Sequence, residues 1–232
     1  EEGKLKYYET GTPQGGVISP LLSNIFLHYV LDDWFVKEVK PRLRGRCFMI
    51  RWADDFIIGC ELESDARRIM AVLPKRFGRY GLSLHPEKTS IIRFKRPRSG
   101  GGGKDRQNGT IDFLGFTFYW ARSYRGYWVM KKKTARRRLA RFMRVLWRWC
   151  RENMHEPIQQ QHRALCVKLR GWFRYHGVRN NYRALKAVFA CAGRAWRYWL
   201  SRRSSKGTVN WEKFDRLCLS YPLPRPRIIH NI

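Results

Sequence analysis

The chain of 232 residues carries 48 lysines and arginines against 18 aspartates and glutamates, which gives a formal net charge of +30 at pH 7. Composition argues against disorder, because 44% of the residues are hydrophobic and 15% are aromatic, enough to build a packed core. A balance this basic indicates a polyanionic partner, and nucleic acid is the default.

The cysteine pattern and the hydropathy indicate the redox compartment of the protein and whether it spans a membrane. The six cysteines are dispersed through apolar segments and form no CxxC pair, a pattern typical of buried free thiols in a reducing compartment. Neither a signal peptide nor an apolar run long enough to span a bilayer is evident in the sequence. We therefore expect nucleic acid as the partner of this protein, and no membrane.

A loop rich in glycine and proline, from Gly11 to Gly16, is the first predicted element. Gly15 and Gly16 allow the backbone to approach a ligand closely, because they carry no side chain. The amide of Gln14 can both donate and accept hydrogen bonds to such a ligand. A plain turn before a helix is the competing interpretation, but it does not explain why Pro13 and Gln14 precede two glycines.

Two adjacent acidic residues are the first candidates for catalysis. Asp54 and Asp55 lie between the apolar runs Cys47–Trp52 and Phe56–Cys60, a pattern typical of a β-hairpin. Hard divalent ions such as Mg²⁺ prefer oxygen ligands on a fixed backbone, so the pair is compatible with a metal site. Aspartate is also an ordinary turn residue, and the pair alone does not decide between the two interpretations.

The rest of the first 130 residues predicts an α+β pattern. Apolar spacing predicts one helix from an N-cap at Ser19 to about Phe35 and a second from Ser64 to near Gly81. Residues 97–109 include four consecutive glycines and are expected to form a flexible loop. Partial or full alternation predicts strands over residues 88–94, 111–120 and 127–130.

The remaining residues predict a helical bundle with a basic exterior. Between Arg122 and Arg203 there are 23 lysines and arginines but only two acidic residues. Like charges this close repel each other, which favours a polyanionic partner over a merely solvated face. The apolar residues that recur at helical spacing lie within Leu139–Cys150, Leu165–His176, Tyr182–Leu200 and Trp211–Cys218.

The order of these segments resembles the group II intron reverse transcriptases. Each motif alone is a weak signal, but the four in this order, followed by a basic helical half, are specific. The basic half, with Leu169–Tyr175, is similar to the thumb of that family, called the maturase or X domain. The matching motifs are Gly11–Leu27 (motif B), Trp52–Asp55 (motif C), Gly81–Leu84 with Lys88-Thr89 (motif D) and Phe113–Phe116 (motif E, the primer grip).

The resemblance implies an α+β fold: a partial reverse-transcriptase palm over residues 1–130, containing an antiparallel sheet with helices, and an all-α thumb over residues 131–232. It also implies that fingers and motif A, which supplies a third carboxylate, are missing from this chain. The implied site residues are Asp54 and Asp55 as catalytic metal ligands, Lys88 as a catalytic cation, Gln14, Gly15, Gly16 and Trp52 at the nucleotide, Phe113, Leu114, Gly115 and Phe116 as the primer grip, and Lys131, Lys132, Lys133, Arg136, Arg137, Arg138, Arg141, Arg170 and Arg174 at nucleic acid.

Two of these assignments have competing interpretations, and a third residue departs from the family pattern. Lys88 can equally be a solvated surface lysine. Gly115 can allow a strand to bend at the primer or belong to an ordinary β-bulge. Trp52 departs from the family, which usually has tyrosine at this place, and the bulkier indole without a hydroxyl puts rate or fidelity at the nucleotide in question.

The function implied by the resemblance is RNA-directed DNA polymerisation and intron splicing. Expected partners are two Mg²⁺ ions, deoxynucleotides, an RNA template with a DNA primer, group II intron RNA and an upstream segment acting in trans, in bacterial cytoplasm or an organelle. Alone, the chain is expected to extend a primer weakly or not at all. The alternatives are a non-catalytic RNA-binding maturase module and a reverse transcriptase of the retron or defence type.

Overall fold

The computed structural model of the protein describes residues 17–97, 108–204 and 207–231. They form two compact units that divide between Ile91 and Ile92. The predicted nucleotide loop with Gln14, Gly15 and Gly16 lies outside the described residues, as does most of the loop predicted over residues 97–109. The assignment of residues 1–130 to a palm and of residues 131–232 to a thumb stays a prediction.

The first unit packs two helical segments against a two-stranded hairpin. Helix α1, Ser19–Leu27, continues through wider π-helical turns over His28–Asp33 and Phe35–Val39. Its cap is Ile18, so Ser19 is the first helical residue and not the predicted N-cap. Strands β1 (Cys47–Trp52) and β2 (Asp55–Cys60) pair antiparallel, and helix α2 follows over Glu63–Gly78.

The core of this unit lies under the second half of the first helical segment. No residue of α1 is buried, whereas the π-helical turns supply much of the core. The buried apolar residues shared with β1 and α2 are Val30, Leu31, Trp34, Phe35, Val39, Cys47, Ile69, Leu73 and Phe77. The hairpin is thereby anchored at the end away from its turn.

The second unit combines a three-stranded antiparallel sheet with four helices. The strands are β3 (Ile111–Phe113), β4 (Phe116–Arg122) and β5 (Trp128–Thr134), with β4 in the middle. The helices are α3 (Arg136–Glu152), α4 (Ile158–His176), α5 (Tyr182–Leu200) and α6 (Trp211–Ser220). All four match predicted helices, because their apolar residues recur at helical spacing and become the core.

A buried polar cluster joins the sheet to the helices in this unit. Asn181, just before α5, accepts a hydrogen bond from the Thr134 backbone amide at 2.9 Å. Its amide nitrogen donates to Thr134 Oγ1 and to the His176 carbonyl, both at 2.8 Å. Buried polar groups are costly unless they are paired, so these bonds fix the end of β5 against the junction of α4 and α5.

The segment after α6 packs back on this same junction. Ile229 and His230 donate backbone hydrogen bonds to the Gly177 carbonyl at 2.7 and 2.9 Å, and Val178 pairs with His230 as an isolated parallel bridge. A Cβ on Gly177 would lie 2.4 Å from the Phe173 carbonyl oxygen. Glycine is therefore required where the tail crosses the helix end.

Two strand predictions are wrong. Residues 88–94 form no strand, because a strand needs a partner ladder. Instead the Gly109 amide donates to the Arg93 carbonyl, the Asn108 side chain bonds the Lys95 backbone, and the Phe94 and Trp120 ring centres lie 5.7 Å apart. The predicted strand over 111–120 is two strands, β3 and β4, joined by a tight turn at Leu114 and Gly115. Lys131, Lys132 and Lys133 belong to β5 rather than to a helix.

Within the part of the chain that the structure describes, no helix is long and apolar enough to cross a bilayer.

Candidate active site and nucleic-acid interface

The β1–β2 turn presents the acidic pair at the exposed tip of the hairpin. Trp52 pairs with Asp55, so Ala53 and Asp54 form a two-residue turn, which confirms the predicted hairpin. Ala53 has φ +52°, a left-handed conformation that is uncommon for a residue with a side chain. Such conformations persist where neighbouring contacts enforce them.

Arg51 supplies those contacts. It lies on the face of β1 opposite to Trp52. Its Nε and Nη2 donate to the two carboxylate oxygens of Asp32 at 2.8 and 2.6 Å. Its Nη1 donates to Asn24 Oδ1 and to the Ala53 carbonyl, both at 2.9 Å. The paired geometry with Asp32 is the strong form of an arginine–carboxylate contact. Arg51 therefore ties the turn to the first helical segment.

The same contacts leave the acidic pair without a competing cation. The hydrogen bond to Asp32 raises the pKa of the half-buried Arg51 guanidinium above its ordinary value. The Arg51 charge is thus balanced by Asp32. Asp54 and Asp55 are exposed, and no described residue donates a hydrogen bond or forms an ion pair with either carboxyl group. Their oxygen atoms are available to an external cation.

These two carboxyl groups fit part of a ligand set for a divalent ion. Both are hard oxygen donors at the tip of a braced turn, which is the donor chemistry that Mg²⁺ prefers. Across residues 17–97, 108–204 and 207–231, no group of three His, Cys, Asp or Glu side chains is placed to hold a metal ion. Further ligands would come from substrate phosphates or from groups outside these residues.

The other residues predicted around the acidic pair are also exposed. Trp52 is 67% exposed and shares one sheet face with Phe48 and Ile50, which are also exposed. Lys88 lies in a turn after Pro86, and its side chain has no partner within the described ranges. The structure therefore leaves both residues accessible without assigning either a contact.

The predicted primer grip is a sharp chain reversal. Phe113 pairs with Phe116, and the two residues between them, Leu114 and Gly115, have φ +50° and +78°. Positive φ at both central positions is the hallmark of a type I′ turn, whose twist matches the flanking strands. The expected bend or bulge at Gly115 is thus a two-residue hairpin turn.

Residues of α3 and α4 fix this turn from outside the sheet. The Tyr175 hydroxyl donates to the Leu114 carbonyl at 2.8 Å, and the Tyr175 ring stacks on Phe116 with ring centres 5.6 Å apart. A Cβ on Gly115 would lie 3.3 Å from Arg138 Nε, so the guanidinium lies over the turn. The structure therefore brings residues of the predicted primer grip together with one of the predicted nucleic-acid-binding arginines.

His176 lies beneath this contact and is held in its neutral form. It is 3% exposed, and its ring nitrogen Nδ1 lies 3.3 Å from Thr134 Oγ1. Burial, with a smaller contribution from the charge of Arg138, lowers the pKa of His176 from 6.5 to about 4. At neutral pH the positive charge beside the turn thus comes from Arg138.

A stripe of five arginines follows one exposed face of α3. They are spaced alternately four and three residues apart, so they lie along one side of the helix. At a rise of 1.5 Å per residue the stripe is roughly 21 Å long. No residue in the described ranges forms an ion pair with these side chains. The arginine stripe consists of Arg137, Arg141, Arg144, Arg148 and Arg151.

The start of α3 adds to this unbalanced charge. Arg136, Arg137 and Arg138 occupy the first turn, which contains no acidic residue. The amino end of a helix carries partial positive charge and favours anions, so three arginines there are unfavourable in isolation. A phosphate bound at this place would relieve the repulsion and also use free backbone amides.

The other predicted basic residues differ in availability. Arg170 and Arg174 are exposed on α4. On β5, Lys131 Nζ donates to the Arg122 carbonyl at 2.8 Å, and Lys133 Nζ lies 4.9 Å from the centre of the Tyr119 ring. Successive strand residues point to opposite faces, so Lys132 does not join the other two lysines in one patch.

Comparison with known families agrees with the geometry. Residues 1–118, half of the chain, match the family described as reverse transcriptase (RNA-dependent DNA polymerase). The chain therefore belongs to the reverse transcriptase family, whose members in general polymerise DNA on RNA with divalent metal ions, nucleic acid and nucleotides as partners. No curated protein matches the chain.

Sequence reasoning missed the residues that position the site. Arg51 immediately precedes Trp52 in the recognised motif, but nothing in the sequence connects it to Asp32, 19 residues earlier. Tyr175 lies in the predicted thumb segment, and nothing in the sequence predicts its bond to Leu114, 61 residues earlier. The alternation of β1 was the available signal, because it places Arg51 on the face opposite Trp52.

Proposed function

We propose that this chain contributes the palm motifs and thumb of a group II intron reverse transcriptase and maturase. Such a protein copies RNA into DNA and assists its intron RNA in folding and splicing. The observation that carries the proposal is the braced hairpin turn with two unpaired aspartates, in a chain of the reverse transcriptase family. The ordered motifs B to E support the intron subtype.

In the proposed chemistry, each candidate site residue of the first unit has a role. Asp54 and Asp55 bind Mg²⁺, and Arg51 holds their turn in place. Two bound ions would activate the attacking 3′-oxygen and stabilise charge on the triphosphate. Lys88 supplies positive charge near the leaving phosphate, and Trp52 contacts the nucleotide together with the Gln14, Gly15 and Gly16 loop.

The second unit is proposed to hold the nucleic acid. The Leu114–Gly115 turn contacts the primer, and the arginine stripe contacts phosphates of the primer, template or intron RNA. The expected partners are therefore an RNA template with a DNA primer, deoxynucleotides and group II intron RNA. Binding through phosphates releases counterions, so affinity should fall steeply with salt.

Metal binding provides a test that does not depend on activity. Mn²⁺ can replace Mg²⁺ at oxygen sites, and its electron paramagnetic resonance signal reports the bound fraction. We expect Asp54→Asn with Asp55→Asn to remove a Mn²⁺ site that wild type retains. Asp215→Asn, a change at an exposed aspartate of α6, is the matched control and should bind as wild type does. Equal binding by all three proteins would contradict the assignment.

Primer extension on an RNA template tests the activity itself. With two carboxylates and no third ligand in the described residues, the 232-residue chain should extend a primer weakly or not at all. An upstream palm segment added in trans should raise extension, and Asp54→Ala should abolish the gain while Asp215→Ala should not. Robust extension that survives Asp54→Ala would refute the assignment of the catalytic pair.

A non-catalytic RNA-binding module is the second candidate function. The observation that favours it is that no group of three His, Cys, Asp or Glu side chains in the described ranges is placed to hold a metal ion, whereas the helical unit carries the arginine stripe without ion-pair partners. It predicts tight intron RNA binding and splicing assistance without extension under any condition. Reverse transcriptases of the retron or defence type would instead show extension without intron specificity.

The role of the first turn of α3 is tested by salt dependence. Replacing Arg136, Arg137 and Arg138 together by glutamine should weaken RNA binding and flatten the plot of log affinity against log salt. Each lost phosphate contact changes the slope by about 0.7 to 0.9. If affinity and slope both equal those of wild type, these arginines are only a solvated face.

A further inference from the structure

A cleft between α3 and α4 lies beside the Leu114–Gly115 turn. Its volume is about 380 Å³, within the range of about 300–1,000 Å³ typical of small-ligand sites. Two arginines stand at the cleft and aromatic side chains form much of its wall. The residues that matter for its chemistry are Arg138, Arg141, Phe142, Gly171, Trp172 and Tyr175.

Contacts within the protein hold the side chains of the aromatic wall in place. Phe142 stacks on Trp172 with ring centres 4.1 Å apart and an angle of 11° between the rings. Tyr175 is 51% exposed, yet it is held by its bond to the Leu114 carbonyl and by stacking on Phe116. An exposed aromatic ring fixed at both its hydroxyl and its face is a ready platform for a planar ligand.

The open space at Gly171 is the second observation. Gly171 lies inside α4, where glycine is destabilising relative to alanine. A Cβ at this position would meet no atom within 4 Å, so neither backbone conformation nor packing within the described structure requires glycine here. What glycine provides is room in the cleft.

The positive charge of the cleft favours a ligand with an anionic group. Arg138 and Arg141 are both exposed and have no ion-pair partner in the described part of the chain. Burial keeps His176 neutral at one side of the cleft, so the positive charge is concentrated on the arginines. Fixed aromatic rings next to arginines suit a ligand with a planar apolar part and an anionic part, which is the composition of a nucleotide.

We infer that this cleft holds one unpaired nucleotide of a single strand, with its base against the aromatic wall and its phosphate at Arg138 and Arg141. A base inside a duplex is covered on both faces by its neighbours, so only an unstacked base can fill the cleft. The inference rests on the proposed function, since it places the strand next to the primer-grip turn. It adds a base-binding site to a surface otherwise expected to bind phosphates.

Filling the cleft provides the test. Gly171→Leu places an apolar side chain in the open space and replaces a poor helix residue by a good one, so the variant should fold at least as well as wild type. Gly78→Leu is the matched control, because a Cβ on this glycine at the end of α2 also meets nothing within 4 Å. Circular dichroism verifies that both variants are folded.

The 232-residue chain is titrated with fluorescein-labelled strands, and anisotropy gives each Kd. The probes are a mixed-sequence single strand, made as RNA and as DNA, the same strand with abasic sites throughout, and a blunt RNA–DNA duplex. Gly171→Leu should weaken binding of a base-containing strand by roughly tenfold, the order expected when one base loses its aromatic contacts. Binding of the duplex and of the abasic strand should change less than twofold, and Gly78→Leu should match wild type throughout.

Salt titration separates the two parts of the proposed contact. Gly171→Leu removes no phosphate contact, so its salt slope should equal that of wild type. Arg138→Gln with Arg141→Gln should reduce the slope for a single strand by roughly 0.7, the value for the one phosphate that both arginines contact. A loss of affinity with RNA alone or with DNA alone supports the inference and identifies the sugar of the bound nucleotide.

Failure of this inference is distinguishable from failure of the proposed function. If wild type binds all strands with steep salt dependence but Gly171→Leu binds the base-containing strands equally well, the cleft holds no base. An equal loss for base-containing and abasic strands also overturns the inference, because the effect would then not involve the base. If wild type binds no strand in a salt-dependent way, the nucleic-acid role of the whole unit is refuted.

Discussion

Replacing Asn181 by alanine should sharply destabilise the helical unit. The side chain is 2% exposed and makes three hydrogen bonds, two to Thr134 and one to the His176 carbonyl. A hydrogen bond of this kind contributes about 1 kcal/mol net, so their loss costs about 3 kcal/mol. The Thr134 amide would also remain buried without a partner, which raises the expected cost to about 3–5 kcal/mol, whereas the His176 carbonyl keeps its hydrogen bond from the Val178 amide.

Urea unfolding followed by circular dichroism measures this loss. With a urea dependence of about 1–3 kcal/mol per molar, a loss of 3 kcal/mol lowers the midpoint by about 1–3 M. Asn231→Ala is the control, because Asn231 is exposed near the end of the described tail. If Asn181→Ala unfolds at the same urea concentration as Asn231→Ala, the polar cluster does not join the sheet to the helices as described.

Three further predictions concern stability and the braced turn. Gly177→Ala should lower the thermal midpoint, because its Cβ would lie 2.4 Å from the Phe173 carbonyl oxygen; an unchanged midpoint would show that the tail shifts without cost. The neutral state of His176 should make folding acid-sensitive: its pKa is about 4 in the folded protein and near 6.5 unfolded, so stability is retained above 6.5 and lost as pH falls toward 4. Urea midpoints across this pH range should vary less in His176→Gln, and an equal pH dependence would contradict the assignment. Arg51→Met should weaken Mn²⁺ binding at the turn, because it breaks the bonds to Asp32 and to the turn carbonyl, whereas a wild-type Mn²⁺ affinity would show that the turn holds its shape alone.

Helices were predictable because burial imposes a periodic pattern on the sequence. The apolar positions from Leu139 to Cys150 define one stripe, and α3 starts and ends within a few residues of it. The hairpin at Asp54 was predictable because two apolar strands flank a short polar step. Both patterns involve residues that are close together in the chain, so a single sequence is enough to recognise them.

What the sequence could not reveal depends on distant partners. Partial alternation over residues 88–94 cannot show whether a neighbouring strand exists, and none pairs with it in the described structure. Gly115 is compatible with a bend, a bulge or a reversal, and the positive φ of Leu114 decides for a reversal. The brace between Arg51 and Asp32 requires the helix and the hairpin to be packed before the pair can be recognised.

The spacing of the arginine stripe determines how a strand can cross α3. Steps of four and three residues repeat every seven, whereas an α-helix drifts about 20° per heptad from such a repeat. Over the two heptads from Arg137 to Arg151 the stripe therefore winds about 40° around the helix in a left-handed sense. A phosphate backbone that contacted all five arginines would have to cross the helix axis at a slant. The proposed binding to α3 would therefore set the direction in which the strand runs across the helical unit.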